Sequence, residues 1–147
     1  MRQIIDWIEM NGFQYNRETL PDIYSRTFLP DSICLNVCRM ADQANAKAIV
    51  IFTFSGYTAL RISSHRPQAE TFVFTPNKSL VRKMALIWGV HAYHIGETNG
   101  IDDAIAQSIA NLKERGYVKD GDVVVHVGST PFEEKGHTNM IKLSYVD

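Results

Sequence analysis

Apolar runs and helix-like patterns alternate along most of the chain. Uninterrupted apolar runs predict strands that are buried on both faces of a sheet, since half-exposed strands alternate apolar and polar residues. The runs lie at 46–53, 70–75, 90–96 and 122–128. The segments between them carry apolar residues at helical spacing and predict helices at 56–66, 76–89 and 100–116. Pro76 suits the start of the second of these helices and Gly89 suits its end.

Alternating strands and helices predict a parallel sheet covered by helices on both faces, with right-handed connections. Residues 139–146 alternate like a strand near an edge, but the connection 129–138 is too short for a crossover helix. The last strand is therefore expected to be antiparallel. The predicted fold is an α/β fold, a three-layer α/β/α sandwich whose five-stranded mixed sheet has four parallel strands and one antiparallel strand.

The first 45 residues follow a different pattern. Residues 1–10 predict a short amphipathic helix, and the segment up to about residue 28 has little periodicity and several helix breakers. Residues 30–44 predict a longer helix, with Asp31 or Ser32 as its N-terminal cap. This segment without periodicity is expected to be a loop that packs against another part of the protein or another domain.

Composition narrows the class of protein. Of 147 residues, 45% are hydrophobic, and 15 basic residues face 16 acidic ones for a net charge of −1. This balance argues against a general nucleic-acid surface and against a polybasic membrane patch, so we expect no nucleic-acid and no membrane partner. Cys34 and Cys38 have apolar neighbours and no further ligands nearby, which favours two core thiols over a metal site. We expect a cytoplasmic protein.

The loop after the first strand is the candidate ligand site. Ligands of such sheets bind outside the carboxyl ends of the strands, where residues 53–58 open a helix. Helix N-termini attract phosphate or carboxylate, Thr53, Ser55 and Thr58 add hydroxyl groups, and Gly56 lets the backbone approach a ligand closely. The simpler explanation is that Ser55 only caps the helix, and capping accounts for one hydroxyl rather than three. The spacing matches neither a Walker A loop nor a dinucleotide-binding motif.

The polar segment 129–138 could close over the same ligand, with Lys135 as a cation, or it could be an ordinary solvated turn hinged at Gly136. The five histidines form no metal-binding pair, and His91 and His94 are expected on opposite faces of one strand. The residue pattern shows no nucleophile with a base, so we expect no catalytic residue and no metal ligand in this chain.

Taken together, these segments resemble the C-terminal domain of pyruvate kinase. The resemblance rests on the stretches AKAIVIFTFSGYTALRISSHRPQAETFVFTPN, LIWGVHAY, KERGYVKDGDVVVHVG and GHTN. The helix at 30–44 fits the family's lead-in helix, and MRQIIDWIE resembles the end of its catalytic barrel. The resemblance implies a domain division at about residue 30. Residues 1–29 would be the tail of the barrel domain and a connecting segment, and residues 30–147 would be the C-terminal α/β regulatory domain.

The resemblance also implies an activity for the parent enzyme. Pyruvate kinase transfers phosphate from phosphoenolpyruvate to ADP in glycolysis, giving pyruvate and ATP, and it uses magnesium and usually potassium. Its active site lies in a barrel domain whose motifs do not occur in these 147 residues. We therefore expect a fragment or separate domain that needs no cofactor of its own and has no kinase activity alone.

In the family this domain carries the allosteric site for sugar phosphates. The loop that matches the effector phosphate site consists of Thr53, Phe54, Ser55, Gly56, Tyr57 and Thr58. The last loop, which closes over the effector in some relatives, offers Lys135, Gly136 and His137. It lacks the tryptophan and arginine that bind a second phosphate there, and Glu133 and Glu134 would repel an anion. A bisphosphate effector, a monophosphate effector and no effector all stay open.

The family is usually a homotetramer in which C-terminal domains meet, which makes the edge strand 139–146 a candidate interface. The implied partners are thus a sugar phosphate, the chain's own barrel domain and further copies of the protein. Two alternatives remain. One is a structural interface domain that binds no effector, and the other is a small phosphate-binding enzyme that acts alone.

Overall fold

A five-stranded sheet organises the protein, and its centre is the strand that the sequence makes most apolar. The computed structural model describes residues 1–12, 14–131 and 138–147. The strands are β1 (Ala48–Phe52), β2 (Glu70–Thr75), β3 (Val90–His94), β4 (Val123–Gly128) and β5 (Met140–Tyr145). The helices are α1 (Arg2–Asn11), α2 (Phe28–Gln43), α3 (Tyr57–Ser64), α4 (Lys78–Met84) and α5 (Ile101–Glu114).

The strand order is β3-β2-β1-β4-β5. All five residues of β1 are buried, and β1 pairs in parallel with β2 and with β4. β3 extends the parallel part beyond β2, and β5 pairs antiparallel with β4, from Val123 opposite Tyr145 to Gly128 opposite Met140. The predicted mixed sheet, with its last strand antiparallel, is confirmed.

Two apolar clusters cover the two faces of the sheet. On one face, α2, α3 and α4 pack on alternate residues of the central strands, including Ile49, Ile51 and Val125. On the other face, α5 packs on the remaining alternate residues, including Val50 and Phe72. Side chains alternate between the faces of a strand, so each central strand serves both clusters. The three-layer prediction is confirmed.

The first cluster contains the two cysteines. Cys34 and Cys38 are free thiols, 0% and 4% exposed, on the inner side of α2. Burial raises the pKa of each thiol to about 12, so both behave as small apolar side chains. The prediction of core thiols is confirmed.

Helix α2 begins earlier than predicted. Its N-terminal cap is Thr27, not Asp31 or Ser32, and Asp31 lies buried in the first turn. Pro30 does not delay the start, because the first turn of a helix needs no bond from that backbone nitrogen.

Helix α4 is shorter than predicted, since it ends at Met84 rather than near Gly89. Its cap is Asn77, whose side-chain oxygen accepts hydrogen bonds from two backbone N–H groups, so Pro76 lies before the cap. After Met84 the chain tightens into i→i−3 bonds, and the 88% exposed Leu86 has no core position that would hold a further helical turn.

The segment before α2 lies against the domain at a few points. The backbone N–H groups of Asn16 and Arg17 donate to the carbonyls of Arg66 and His65, which follow α3. In α1 no residue is buried, and Trp7 is 65% exposed. The division at residue 30 stays a prediction. In the described part of the chain, no helix has the length and apolarity to cross a membrane.

Candidate functional site

The loop between β1 and α3 is a tight turn that its own hydroxyl groups stabilise. Gly56 has a φ of 85° and is the N-terminal cap of α3. Its N–H donates to Thr53 Oγ1 at 3.0 Å, and the N–H of Tyr57 donates to Ser55 Oγ at 3.3 Å. These bonds within the turn occupy two hydroxyl oxygens, but neither is a side-chain cap, because the N-terminal cap of α3 is Gly56 and not Ser55. Both hydroxyls still have their own O–H to donate to a ligand.

The third hydroxyl, that of Thr58, joins this loop to the connection between β4 and β5. Thr58 Oγ1 lies 2.6 Å from Thr138 Oγ1, at the end of the β4–β5 connection. Asn139 joins the two described ends of that connection, because its side chain accepts from the N–H of Thr130 and donates to the carbonyl of Thr130, both at 2.8 Å. Thr138, at the described end of the segment 129–138, is therefore in contact with the predicted phosphate loop.

Gly56 is required by both conformation and space. A φ of 85° is strained for residues with a side chain. A Cβ at this position would also lie 2.9 Å from Leu80 Cδ1 and 2.9 Å from Met84 Cε. The glycine lets α4 pack directly under the loop.

A cleft of about 450 Å³ opens beside this turn. Its lining includes five of the six residues of the predicted phosphate loop, all except Gly56. The other lining residues are Arg26, Thr27, Pro30, Phe52, Ser129 and Thr138. Lys135, Gly136 and His137, the remaining predicted site residues, lie outside the described residues.

Arg26 and Thr27 are site residues that the sequence analysis missed. Among the described residues that line the cleft, the exposed Arg26 is the only one with a charged side chain. It lies in the segment without periodicity, 27 positions before Thr53, so no local pattern connects it with the phosphate loop. Only the packing of α2 against α3 brings it there.

A buried carboxylate lies behind the cleft wall. Asp31 accepts hydrogen bonds from Tyr57 Oη at 2.6 Å, Arg61 Nε at 2.9 Å and Thr27 Oγ1 at 2.8 Å. Burial alone raises the pKa of Asp31, but bonds from Tyr57 and Thr27 and the charge of Arg61 outweigh it, and the pKa lies below its ordinary value. The pKa of Tyr57 is raised by burial and by its bond to Asp31, so the phenol stays protonated.

The described lining of the cleft offers donors suited to an anion and contains no histidine, cysteine or carboxylate side chain. In the first turn of α3 the N–H of Tyr57 is bonded to Ser55, whereas the N–H groups that follow it have no acceptor within the helix, as at helix starts in general. The hydroxyls and the Arg26 guanidinium are further donors. Within the described ranges, no group of three or more His, Cys, Asp or Glu residues could hold a metal ion. His91 and Tyr93 contact Phe72 on one face of β3, so His94 points to the opposite face, as predicted.

A sequence model of the pyruvate kinase alpha/beta domain matches residues 31–144. The chain belongs to the pyruvate kinase alpha/beta domain family. The resemblance found in the sequence is confirmed, and the match covers β1 to β4, all of β5 except Tyr145, and the loop at 53–58.

Known pyruvate kinases agree with this assignment. The enzyme of Clostridium acetobutylicum is 37% identical over 117 residues, which are 80% of this chain and 25% of that protein. The enzyme of Lactobacillus delbrueckii subsp. bulgaricus is 32% identical over 123 residues, 84% of this chain and 21% of that protein. The chain thus spans a fifth to a quarter of the length of these relatives.

A solved structure supports the fold. The crystal structure of a pyruvate kinase from Cryptosporidium parvum superposes with a TM-score of 0.74 over 81% of this chain and 23% of that chain. At 24% identity, this match supports the fold of the pyruvate kinase alpha/beta domain and nothing finer.

Proposed function

We propose that this chain is the regulatory and oligomer-forming domain of a pyruvate kinase, and that its cleft binds the phosphate group of a sugar phosphate effector. The observation that carries the proposal is the convergence of Arg26, the hydroxyls of residues 53–58 and the start of α3 on one cleft. A phosphate dianion would form an ion pair with the guanidinium and accept charge-assisted hydrogen bonds from it, from the hydroxyls and from the backbone N–H groups.

The phosphoryl transfer from phosphoenolpyruvate to ADP would belong to the barrel domain that the family resemblance implies, together with the magnesium and potassium ions. The described residues supply no cluster of metal ligands for those ions, so no catalytic step is assigned to this chain. Its role would be to bias the arrangement of subunits, because an effector shifts the equilibrium toward the arrangement that it binds better. We also propose a cytoplasmic location, because this is where a glycolytic enzyme is expected to act.

The proposed oligomer would form through β5, the strand at one edge of the sheet. Leu143 and Tyr145 on this strand are 43% and 71% exposed. An antiparallel edge strand with exposed apolar side chains can pair with a second copy.

Binding of fructose 6-phosphate, measured by calorimetry, tests the effector site. Arg26→Gln should weaken binding about tenfold or more, because a hydrogen bond to a charged group contributes roughly 1.5–3 kcal/mol. The matched control is Arg82→Gln, which removes an exposed arginine of α4 outside the cleft. Equal affinities in the two variants would show that Arg26 does not hold the phosphate.

The alternative is a structural interface domain that binds no effector. It is favoured by the internal hydrogen bonds that occupy Thr53, Ser55 and Thr58. The same calorimetry, combined with molar mass by light scattering, separates the two functions. An oligomer that binds neither fructose 6-phosphate nor fructose 1,6-bisphosphate would establish the structural role and end the effector proposal.

A further inference from the structure

Asp31 connects the two helices that border the cleft. It lies in the first turn of α2 and accepts bonds from Tyr57 and Arg61, which are one turn apart on α3. Tyr57 also lines the cleft, so the carboxylate stands directly behind the cleft wall. The side chain of Asp31 is 9% exposed, whereas that of Arg61 is 32% exposed.

The bond between Asp31 and Arg61 determines which cationic side chains can contact a ligand in the cleft. Residues four apart on a helix lie on the same face, so Arg61 projects from the same side of α3 as Tyr57. Its guanidinium is bound to Asp31 and does not line the cleft, which leaves Arg26 as the one charged residue of the described lining. The pair Asp31–Arg61 adds no net charge to the site.

We propose that Asp31 is a specificity-determining residue of the cleft, which holds Arg61 away from the ligand and so favours a sugar monophosphate over a bisphosphate. This inference rests on the proposed effector site, and it gives a physical reason why that site would bind one class of sugar phosphate more tightly than another. A single phosphate is matched by Arg26 and the hydroxyls. A second phosphate would find no further cation among the described lining residues, because the Arg61 guanidinium is bound to Asp31.

The test is the ratio of two dissociation constants, that of fructose 6-phosphate divided by that of fructose 1,6-bisphosphate, measured on the full chain. Asp31→Asn frees Arg61 and removes a negative charge, so the ratio should rise about tenfold toward the bisphosphate. Arg61→Gln leaves the carboxylate without its cation, so the ratio should fall severalfold. The matched control is Glu18→Gln, which frees Arg39 from an exposed ion pair outside the cleft and should leave the ratio unchanged.

Opposite shifts in the two variants support the proposal, because loss of packing alone would weaken both sugars together and leave the ratio in place. A ratio that stays constant, or that moves in the same direction in both variants, overturns the role of Asp31. If Asp31→Asn does not fold, Arg61→Gln decides, since it changes a partly exposed side chain.

Different results would refute the effector site and the role of Asp31. If the wild-type chain binds fructose 6-phosphate but the ratios do not move, the effector site stands and the role of Asp31 falls. If the wild-type chain binds neither sugar phosphate, both fall.

Discussion

Lowering the pH from about 7.5 to about 5 is expected to destabilise the protein through one histidine. His126, in the middle of β4, is 0% exposed and faces the α5 side of the sheet beside Val50. Its Nε2 lies 2.9 Å from Ser144 Oγ, and its Nδ1 has no hydrogen-bond partner among the described residues. Burial, and then the charge of Lys142 on the neighbouring strand, lower the pKa of His126 to about 4.

The direction and the size of this loss of stability follow from the difference between the pKa of His126 in the folded and in the unfolded chain. The unfolded chain takes up a proton below about pH 6.5, whereas the folded protein keeps His126 neutral down to about pH 4. The stability that this neutral histidine contributes is therefore complete above pH 6.5 and is lost as the pH falls toward 4. At 1.36 kcal/mol per pKa unit, the total loss is about 3 kcal/mol, of which about 2 kcal/mol falls between pH 7.5 and 5.

Urea unfolding at a series of pH values, followed by circular dichroism, measures this loss. His126→Gln keeps a side chain that can bond to Ser144 but does not titrate, so its free energy of unfolding should change by less than about 0.5 kcal/mol over the same range. The control His94→Asn replaces an exposed histidine of β3 and should retain the loss. If wild type and His126→Gln respond equally to pH, the assignment to His126 is refuted.

Two further predictions concern the loop and the core. Gly56→Ala should lower the free energy of unfolding by about 2–3 kcal/mol, because its φ of 85° costs about 1–2 kcal/mol and a Cβ would meet two α4 side chains at 2.9 Å. Gly116→Ala, with a φ of 77° and open space, should show the conformational cost alone, and equal losses in urea titrations would contradict the steric argument. Cys34 and Cys38, whose pKa values are about 12, should react with an aromatic disulfide reagent roughly a thousandfold more slowly in the folded than in the unfolded protein, and prompt reaction of the folded protein would contradict their burial.

The sheet was predictable because its strands leave a strong local signal. A strand buried on both faces must be apolar at every position, and β1 shows this pattern without interruption. The antiparallel direction of β5 followed from the length of one connection. Helix ends were harder to predict, because the end of α4 depends on whether Leu86 finds a place in the core, and the sequence around it continues the helical pattern.

The candidate site was predictable only on one side. Thr53, Ser55 and Gly56 are consecutive or nearly so and follow a recognisable strand, so their grouping needed no tertiary information. Arg26 and Asp31 come from a segment that local patterns describe poorly, and Asp31 was interpreted as a helix cap because that is the usual role of an aspartate near a helix start. The contact between α2 and α3 that gives both residues their place is a long-range contact, which periodicity does not reveal.

The arrangement of the cleft limits how tightly it can bind a phosphate. Thr58 is held by Thr138, and Ser55 and Thr53 each accept a bond from the turn itself. A ligand can use these hydroxyls only as donors through their remaining O–H groups, or by breaking the bond between the two threonines. Where the threonine bond is broken, its loss offsets part of the binding free energy, so that hydroxyl contributes less than the roughly 1.5–3 kcal/mol of a hydrogen bond to a charged group. Arg26 can bond to a phosphate without breaking a bond of the turn, so it is expected to make the largest single contribution to the affinity.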